Sequence, residues 1–209
     1  MNPPQISGLY AITPDTADSS VLLCQVSAAL QGGINVLQYR NKSSDAGLRL
    51  NQARGLQALC RAAGVPFLIN DDVELACAIA ADGVHLGNDD GDLVAARQQL
   101  GHRAIIGASC YDQLTLASQA VAAGVDYVAF GSMFSSPTKP AARRASLELL
   151  LQARAMLKVP IVAIGGIDMH TIGLVARSGA SAAAVIQALF GQGDAGTNAA
   201  RLRHAWLSA

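Results

Sequence analysis

Short runs of β-branched and apolar residues recur along the chain, with Ala- and Leu-rich stretches of helical period between them. This is the alternation expected of βα units around a parallel sheet. The runs predict eight strands, at 8–13, 35–40, 66–69, 83–86, 104–108, 127–131, 161–164 and 182–186, each bounded by Gly, Pro, Asp or Asn as turn chemistry requires. Helices are predicted between and after them at 19–31, 46–63, 73–79, 93–100, 113–123, 146–156, 170–178 and 198–207. Gly32, Gly64, Gly101, Gly124 and Gly179 stand just past helix ends, where a left-handed residue closes the last turn most easily. Eight strand-helix pairs in 209 residues predict an α/β fold of the (β/α)8 TIM barrel type near its lower size limit, rather than an open doubly wound sheet. The whole of 1–209 reads as one domain. The longest irregular stretch, 132–145, holds two prolines and three basic residues and has the composition of a mobile active-site loop.

Composition narrows the function. Hydrophobic residues make up 51% and charged ones 14%, which excludes a disordered chain. Lys+Arg and Asp+Glu each total 15, so no global basic field exists to hold nucleic acid or an anionic membrane, and any anion must be bound locally. Apolar runs fall short of the roughly 18 residues of a membrane span, and MNPPQISGLY lacks the regions of a signal peptide; the expected place is the cytoplasm. Cys24, Cys60, Cys77 and Cys110 show no CxxC spacing, and buried free thiols are expected.

In a barrel the site lies at the C-terminal ends of the strands, and the polar residues that follow the predicted strands form a consistent set. After the second strand, period-two alternation sends Gln38, Arg40 and Lys42 to one side. Asn70, Asp71 and Asp72 follow the third strand; Asp89 and Asp90 come after the fourth, Ser109 after the fifth, Ser136, Thr138 and Lys139 after the sixth, and Gly165 and Gly166 after the seventh. Arg40, Lys42 and Lys139 suit a polyanion, set against the alternative of scattered surface charge.

Asp71 and Asp90 conflict with a bound diphosphate. Like unit charges about 4 Å apart repel by about 4 kcal/mol at an effective dielectric near 20. A divalent cation removes the conflict, so the pair reads as a Mg2+ seat completed by substrate phosphates. Asp72 is as well explained as a cap on the helix starting at Val73, and Asp89 as a solvated residue. Gly165-Gly166 together with the backbone at Ile186 and Gln187 matches the usual barrel phosphate site. Two anion sites on one rim imply two phosphorylated substrates, or one substrate with phosphates at both ends. Among the histidines, His102 and His204 read as surface residues and His170 as a loop residue without a partner. His85, inside a strand, reads as a hydrogen-bonded packing residue ahead of a general base. No G-x-S-x-G context supports a nucleophilic serine.

These residues carry a family resemblance. GLYAIT (8–13), LQYRNK (37–42), INDDVELA (69–76), DGVHLGNDD (82–90), the serine of IGAS (106–109), DYVAFGSMF with SPTKP (126–140) and PIVAIGGI (160–167) span most of the chain and resemble the thiamine-phosphate synthase family in order. The resemblance implies a (β/α)8 fold, two phosphorylated heterocyclic substrates, Mg2+, and joining of hydroxymethylpyrimidine diphosphate to hydroxyethylthiazole phosphate with release of diphosphate. It implies that Gln38, Arg40, Lys42, Asn70, Ser109 and Lys139 hold the pyrimidine diphosphate, with Tyr39 and Asn41 inside the same binding segment. Arg40, Lys42, Ser109 and Lys139 would be the catalytic set and Asp71 and Asp90 the Mg2+ ligands. Ser136, Pro137, Thr138, Gly166, Ile186 and Gln187 would contact the thiazole phosphate.

Two departures are visible: Gln187 stands where the family often has serine, and Cys110-Tyr111 where a histidine often follows the fifth-strand serine. A thiazole tautomerase of the same fold, a non-catalytic phosphate-ligand sensor and a sugar-phosphate epimerase are the competing readings. The tautomerase type would depend on a histidine in the fifth-strand region and lack the full cation and carboxylate set. No nucleic acid or membrane partner is expected, and homo-oligomerisation is left open.

Overall fold

In the computed structural model, which describes residues 6–88, 90–135 and 144–209, each apolar run becomes a short strand and most are followed by a helix of matching length. The order is β1 (Gly8–Ile12), α1 (Ser19–Gln31), β2 (Val36–Tyr39), α2 (Ala46–Ala63), β3 (Phe67–Asn70), α3 (Val73–Ile79), β4 (Gly83–Leu86), α4 (Leu93–Leu100), β5 (Ile105–Tyr111), α5 (Leu114–Ala122), β6 (Tyr127–Phe130), α6 (Leu147–Met156), β7 (Ile161–Ile164), α7 (Ile172–Arg177), β8 (Ala182–Val185), α8 (Gln187–Phe190) and α9 (Ala195–Leu207). The eight strands pair in parallel and β8 closes on β1, so the expected (β/α)8 barrel is present. α8 was not anticipated, because a four-residue helix carries no periodicity to read.

Capping explains why the helices begin where they do. Asp18, Asp45, Asp72, Asp92, Ser146 and Asp194 each accept hydrogen bonds from first-turn amides of α1, α2, α3, α4, α6 and α9, each worth about 1 kcal/mol. Asp194 draws the last helix back to Ala195, ahead of the expected 198. Four of the five glycines expected to be left-handed have positive φ, 66° at Gly64, 83° at Gly101, 87° at Gly124 and 84° at Gly179, although Gly101, with ψ 173°, is extended rather than helical. Gly32 is not, with φ −72°. A Cβ there would lie 2.3 Å from the Gly196 carbonyl oxygen, so its glycine serves the close approach of α1 to α9, and Gly33 at φ 92° makes the turn. The cysteines also differ from expectation. Cys60 and Cys110 are buried, but Cys24 and Cys77 are exposed free thiols on outward helix faces.

Strand alternation sorts the core into two layers. Leu9, Ala11, Leu37, Tyr39, Val84, Leu86, Ile106 and Ala108 face the helices. Tyr10, Ile12, Val36, Leu68, Ile105, Tyr127, Ala129, Val162, Ala182 and Ala184 fill the barrel interior. The interior accepts two tyrosines because their neighbours are small: Tyr10 pairs in register with Ala184, and a Cβ on Gly107 would fall 2.0 Å from the Tyr127 ring. Extending the interior parity toward the strand C-termini adds Gln38, Asn70, His85 and Ser109, which is how the barrel gathers polar groups at one mouth.

Candidate functional site

β2 carries Val36 and Gln38 on its inner face, and Arg40 follows on the same parity just beyond the strand. Arg40 is fixed at the rim by an ion pair with Asp15 at 3.0 Å. The other Asp15 oxygen accepts from the Lys42 backbone N–H at 2.9 Å. Asp15, in the loop before α1, thus ties together both cation-bearing positions, and nothing in its own sequence context marked it.

Asp71 sits in a tight turn. Its φ is 62°, its N–H donates to the His85 carbonyl, and the Asp72 N–H donates to the Asn70 carbonyl at 2.8 Å. This turn sets the Asp71 carboxyl within hydrogen-bonding reach of Asp90, while the Asn70 side-chain amide donates to it. Asp90 folds back so that its Oδ2 accepts from the Gly87 N–H at 3.1 Å. Partial removal from water, and then the facing Asp90 carboxylate, lift the Asp71 carboxyl from 3.8 to about 6. Two carboxylates held against each other are a donor set that a divalent cation fits, since the cation relieves the repulsion that raises the pKa. Among the described residues no group of three or more His, Cys, Asp or Glu side chains could hold a metal, so further ligands would have to be substrate oxygens or water.

Arg40, Asn41, Lys42, Asn70, Asp71 and Asp90 line a single cleft of about 790 Å³, together with Arg49, Asp72, Gly91 and Asp92. Ser109 lines an adjoining cleft of about 270 Å³ that shares Gly91 and Asp92 with the first. Gln38 lies beneath, buried in the barrel. Ser136, Pro137, Thr138 and Lys139 lie outside the described residues, as does Asp89. Two side chains of the expected binding segment point elsewhere. Tyr39 falls on the outward parity, where its hydroxyl donates to Gln52 Oε1 at 2.8 Å and burial pushes it up to about 12. The Asn41 side chain is engaged by Gln52, Thr16 and Ser43, so it braces the loop. Tyr39 is thus buried away from the cleft, whereas Asn41 stays on its wall.

Asp72 behaves as the expected cap, accepting from Leu75 N–H at 2.8 Å, and its second oxygen pairs with Arg49 at 3.1 Å. Arg49, on α2, is a further cation of the cleft that a reading confined to strand ends misses; its place one turn into a helix that follows a rim loop was the available signal.

Across the mouth, the loop after β7 opens on two glycines. Gly165 and Gly166 have φ of 103° and 64°. A Cβ on Gly166 would meet the Ser135 and Phe134 carbonyl oxygens at 2.6 and 2.7 Å, so the loop after β7 packs against the loop after β6 and requires glycine for that reason alone. Ile186 precedes α8. The Gln187 side-chain nitrogen lies 2.5 Å from where a Cβ of Gly191 would be, folded back along α8. Past Ser109, β5 continues through a bulge that turns Cys110 into the helix-facing core and leaves Tyr111 exposed at φ 51°. Burial pushes the Cys110 thiol up to about 12.

His85 is a hydrogen-bonded interior residue, as its strand context suggested. Nδ1 meets the Tyr127 hydroxyl and Nε2 the Ser109 hydroxyl, both at 2.9 Å. Burial lowers its pKa to about 4 against a small opposing pull from Asp90, so the ring is neutral. Tyr10 and Tyr127 are pushed well above the usual tyrosine value by the same burial and keep their protons.

Comparison with known proteins gives the family and the fold. The family model described as thiamine monophosphate synthase matches residues 9–189. A thiamine-phosphate synthase of Chromobacterium violaceum is 55% identical over 207 residues, 99% of each chain. One from Aromatoleum aromaticum is 53% identical over 199 residues, 95% of this chain and 96% of its own. Among solved structures, thiamine phosphate pyrophosphorylase from Pyrococcus furiosus superposes with a TM-score of 0.86 at 32% identity, covering 96% of both chains. A 3-hexulose-6-phosphate synthase at 19% identity and TM-score 0.69 shares the fold. This chain belongs to the thiamine monophosphate synthase family.

Proposed function

We propose that this transferase joins 4-amino-2-methyl-5-hydroxymethylpyrimidine diphosphate to hydroxyethylthiazole phosphate, giving thiamine phosphate and diphosphate by a dissociative route. The observation that carries the reading is the meeting of Arg40 and Lys42 with Asp71 and Asp90 on one cleft of about 790 Å³. Cations alone would hold any anion, and carboxylates alone would repel a diphosphate. The combination suits a diphosphate that arrives with a divalent metal. Bound by Asp71 and Asp90, Mg2+ would offset negative charge on the departing diphosphate.

The chain's own groups do the rest. Arg40, held in place by Asp15, offers its guanidinium to the diphosphate oxygens, and Lys42 and Lys139 add point charges. Ser109 donates a hydroxyl hydrogen bond, and Gln38 and Asn70 orient the pyrimidine. Ionisation breaks the C–O bond to the diphosphate, leaving a pyrimidine-methyl cation delocalised by the ring amine, and the thiazole nitrogen then adds. No strong base is required, which suits a mouth whose interior histidine is neutral and already fully hydrogen-bonded. The thiazole phosphate is assigned to Ser136, Pro137, Thr138 and the backbone of Gly166, Ile186 and Gln187. The reaction is expected in the cytoplasm; no helix among the described residues is long and apolar enough to cross a membrane.

The test mixes purified protein with both phosphorylated heterocycles and follows diphosphate with and without EDTA. Release that needs Mg2+ and stops on chelation is expected, with loss of activity in a folded Lys139→Ala variant. No release with Mg2+, or release indifferent to EDTA, would refute the reading.

A further inference from the structure

Beneath the cleft, five side chains from five strands hydrogen-bond in one line. Gln38 Nε2 donates to the Tyr10 hydroxyl at 2.8 Å, Tyr10 and Tyr127 hydroxyls meet at 2.8 Å, Tyr127 meets His85 Nδ1 at 2.9 Å, and His85 Nε2 meets Ser109 Oγ at 2.9 Å. Gln38, Tyr10, Tyr127 and His85 are buried at 3, 1, 0 and 8% exposure, so water does not complete their hydrogen bonds. The fold makes deliberate room for the line: Gly107 opposes Tyr127 where any Cβ would strike its ring, and the His85 and Tyr127 rings stack at 5.5 Å.

Counting protons orients the line. Each hydroxyl and the neutral imidazole carries one, so the direction of one link fixes the next. With Gln38 donating, the Tyr10 proton goes to Tyr127, the Tyr127 proton to Nδ1, and the ring proton must sit on Nε2, donated to Ser109 Oγ. Reversing the Tyr127–His85 link would leave two tyrosine protons for the single Tyr10–Tyr127 link, one of them with no acceptor in a closed interior, a cost native cores avoid.

We infer that this buried line sets the polarity of Ser109, engaging its oxygen from below so that its proton is free to be given to the substrate's diphosphate. His85 and Tyr127 are then positioning residues that act through Ser109. The inference rests on the proposed role of Ser109 as a diphosphate contact.

Nitrogen-15 NMR of the full chain tests the orientation directly: His85 is expected as the Nε2–H tautomer, with Nδ1 at the unprotonated position. Kinetics test the consequence. Removing a donor to developing charge costs about 100-fold or more in kcat, which is expected of Ser109→Ala. Tyr127→Phe, which retains Ser109 but not its orientation, is expected to lose about tenfold in kcat with little change in KM, and to add nothing in the Ser109→Ala background. Tyr10→Phe removes an equally buried hydroxyl yet keeps the Tyr127–His85–Ser109 segment, so it controls for core damage and is expected to stay within about twofold of wild type. An Nδ1–H ring or an imidazolium, losses that add in the double variant, or a Tyr10→Phe defect equal to that of Tyr127→Phe would overturn the inference. Wild-type kinetics in Ser109→Ala would instead remove the role of Ser109 on which it stands.

Discussion

The two halves of the barrel mouth differ in what they offer a ligand. On the β2–β4 side, the proposed diphosphate site is made of charged side chains: Arg40, Lys42, Asp71 and Asp90 converge on one cleft, with Arg49 and Asp15 bracing it. On the β7–β8 side the proposed phosphate seat is main chain, at Gly166 and Ile186–Gln187, and the packing around Gly166 already demands glycine. A charged site can neutralise a leaving group and depends on every member. A backbone site can only seat a phosphate, and side-chain changes there are expected to matter little unless they move the backbone.

That contrast can be broken most forcefully on the charged side. Asp71→Ala and Arg40→Ala, assayed by steady-state diphosphate release, are each expected to lower kcat/KM by about 10² to 10³-fold, the range seen when one electrostatic group is removed from developing charge. Equal losses from Asp15→Ala would show that fixing Arg40 matters as much as having it.

The backbone side gives a smaller and more selective effect. Gly166→Ala places a side chain at φ 64° and 2.6 Å from a carbonyl oxygen, so the loop must shift. KM for the thiazole phosphate is expected to rise about tenfold, within the range that displacements near 1 Å produce, with pyrimidine diphosphate binding unchanged.

The third effect is on stability. His85 has its folded pKa lowered to about 4 from 6.5. Above pH 6.5 the ring is neutral in both folded and unfolded chains, and the shift costs nothing. As pH falls from 6.5 toward 4 the unfolded chain takes up a proton that the folded chain refuses, and stability declines by about 3 kcal/mol at 1.36 kcal/mol per pKa unit. Urea unfolding of wild type and His85→Asn across that window isolates the term, because Asp71 contributes equally to both. A parallel pair of profiles would contradict it. Smallest of all, Gln187→Ser is expected to leave kinetics within about twofold of wild type, since the glutamine amide is folded against Gly191.

The same contrast explains what the sequence made legible. α1, α2, α3 and α4 and the strands β4 and β7 have the bounds that periodicity predicted, because each carries a clear apolar face and a strong cap or turn. Arg40, Lys42, Asp71 and Asp90 were legible because strand-end position and charge are both sequence properties. What escaped depends on three-dimensional parity or on the main chain. Tyr39 was placed in the binding segment although its odd position turns it toward α2. β5 runs three residues further than expected because a bulge at Ser109/Tyr111 keeps a broken pattern in the sheet. Tyr10 and Tyr127, 117 positions apart, meet only because both fall on the interior face opposite small residues.

The most direct test of the charged mouth is the affinity of inorganic diphosphate for the intact protein, measured by calorimetry with and without Mg2+ in wild type and in Asp71→Asn. Wild type is expected to bind at least about tenfold more tightly with Mg2+, a gain of about 1.4 kcal/mol, and Asp71→Asn to lose that gain. Equal affinity with and without the metal in wild type, or an undiminished gain in Asp71→Asn, would contradict a carboxylate-held cation at this cleft.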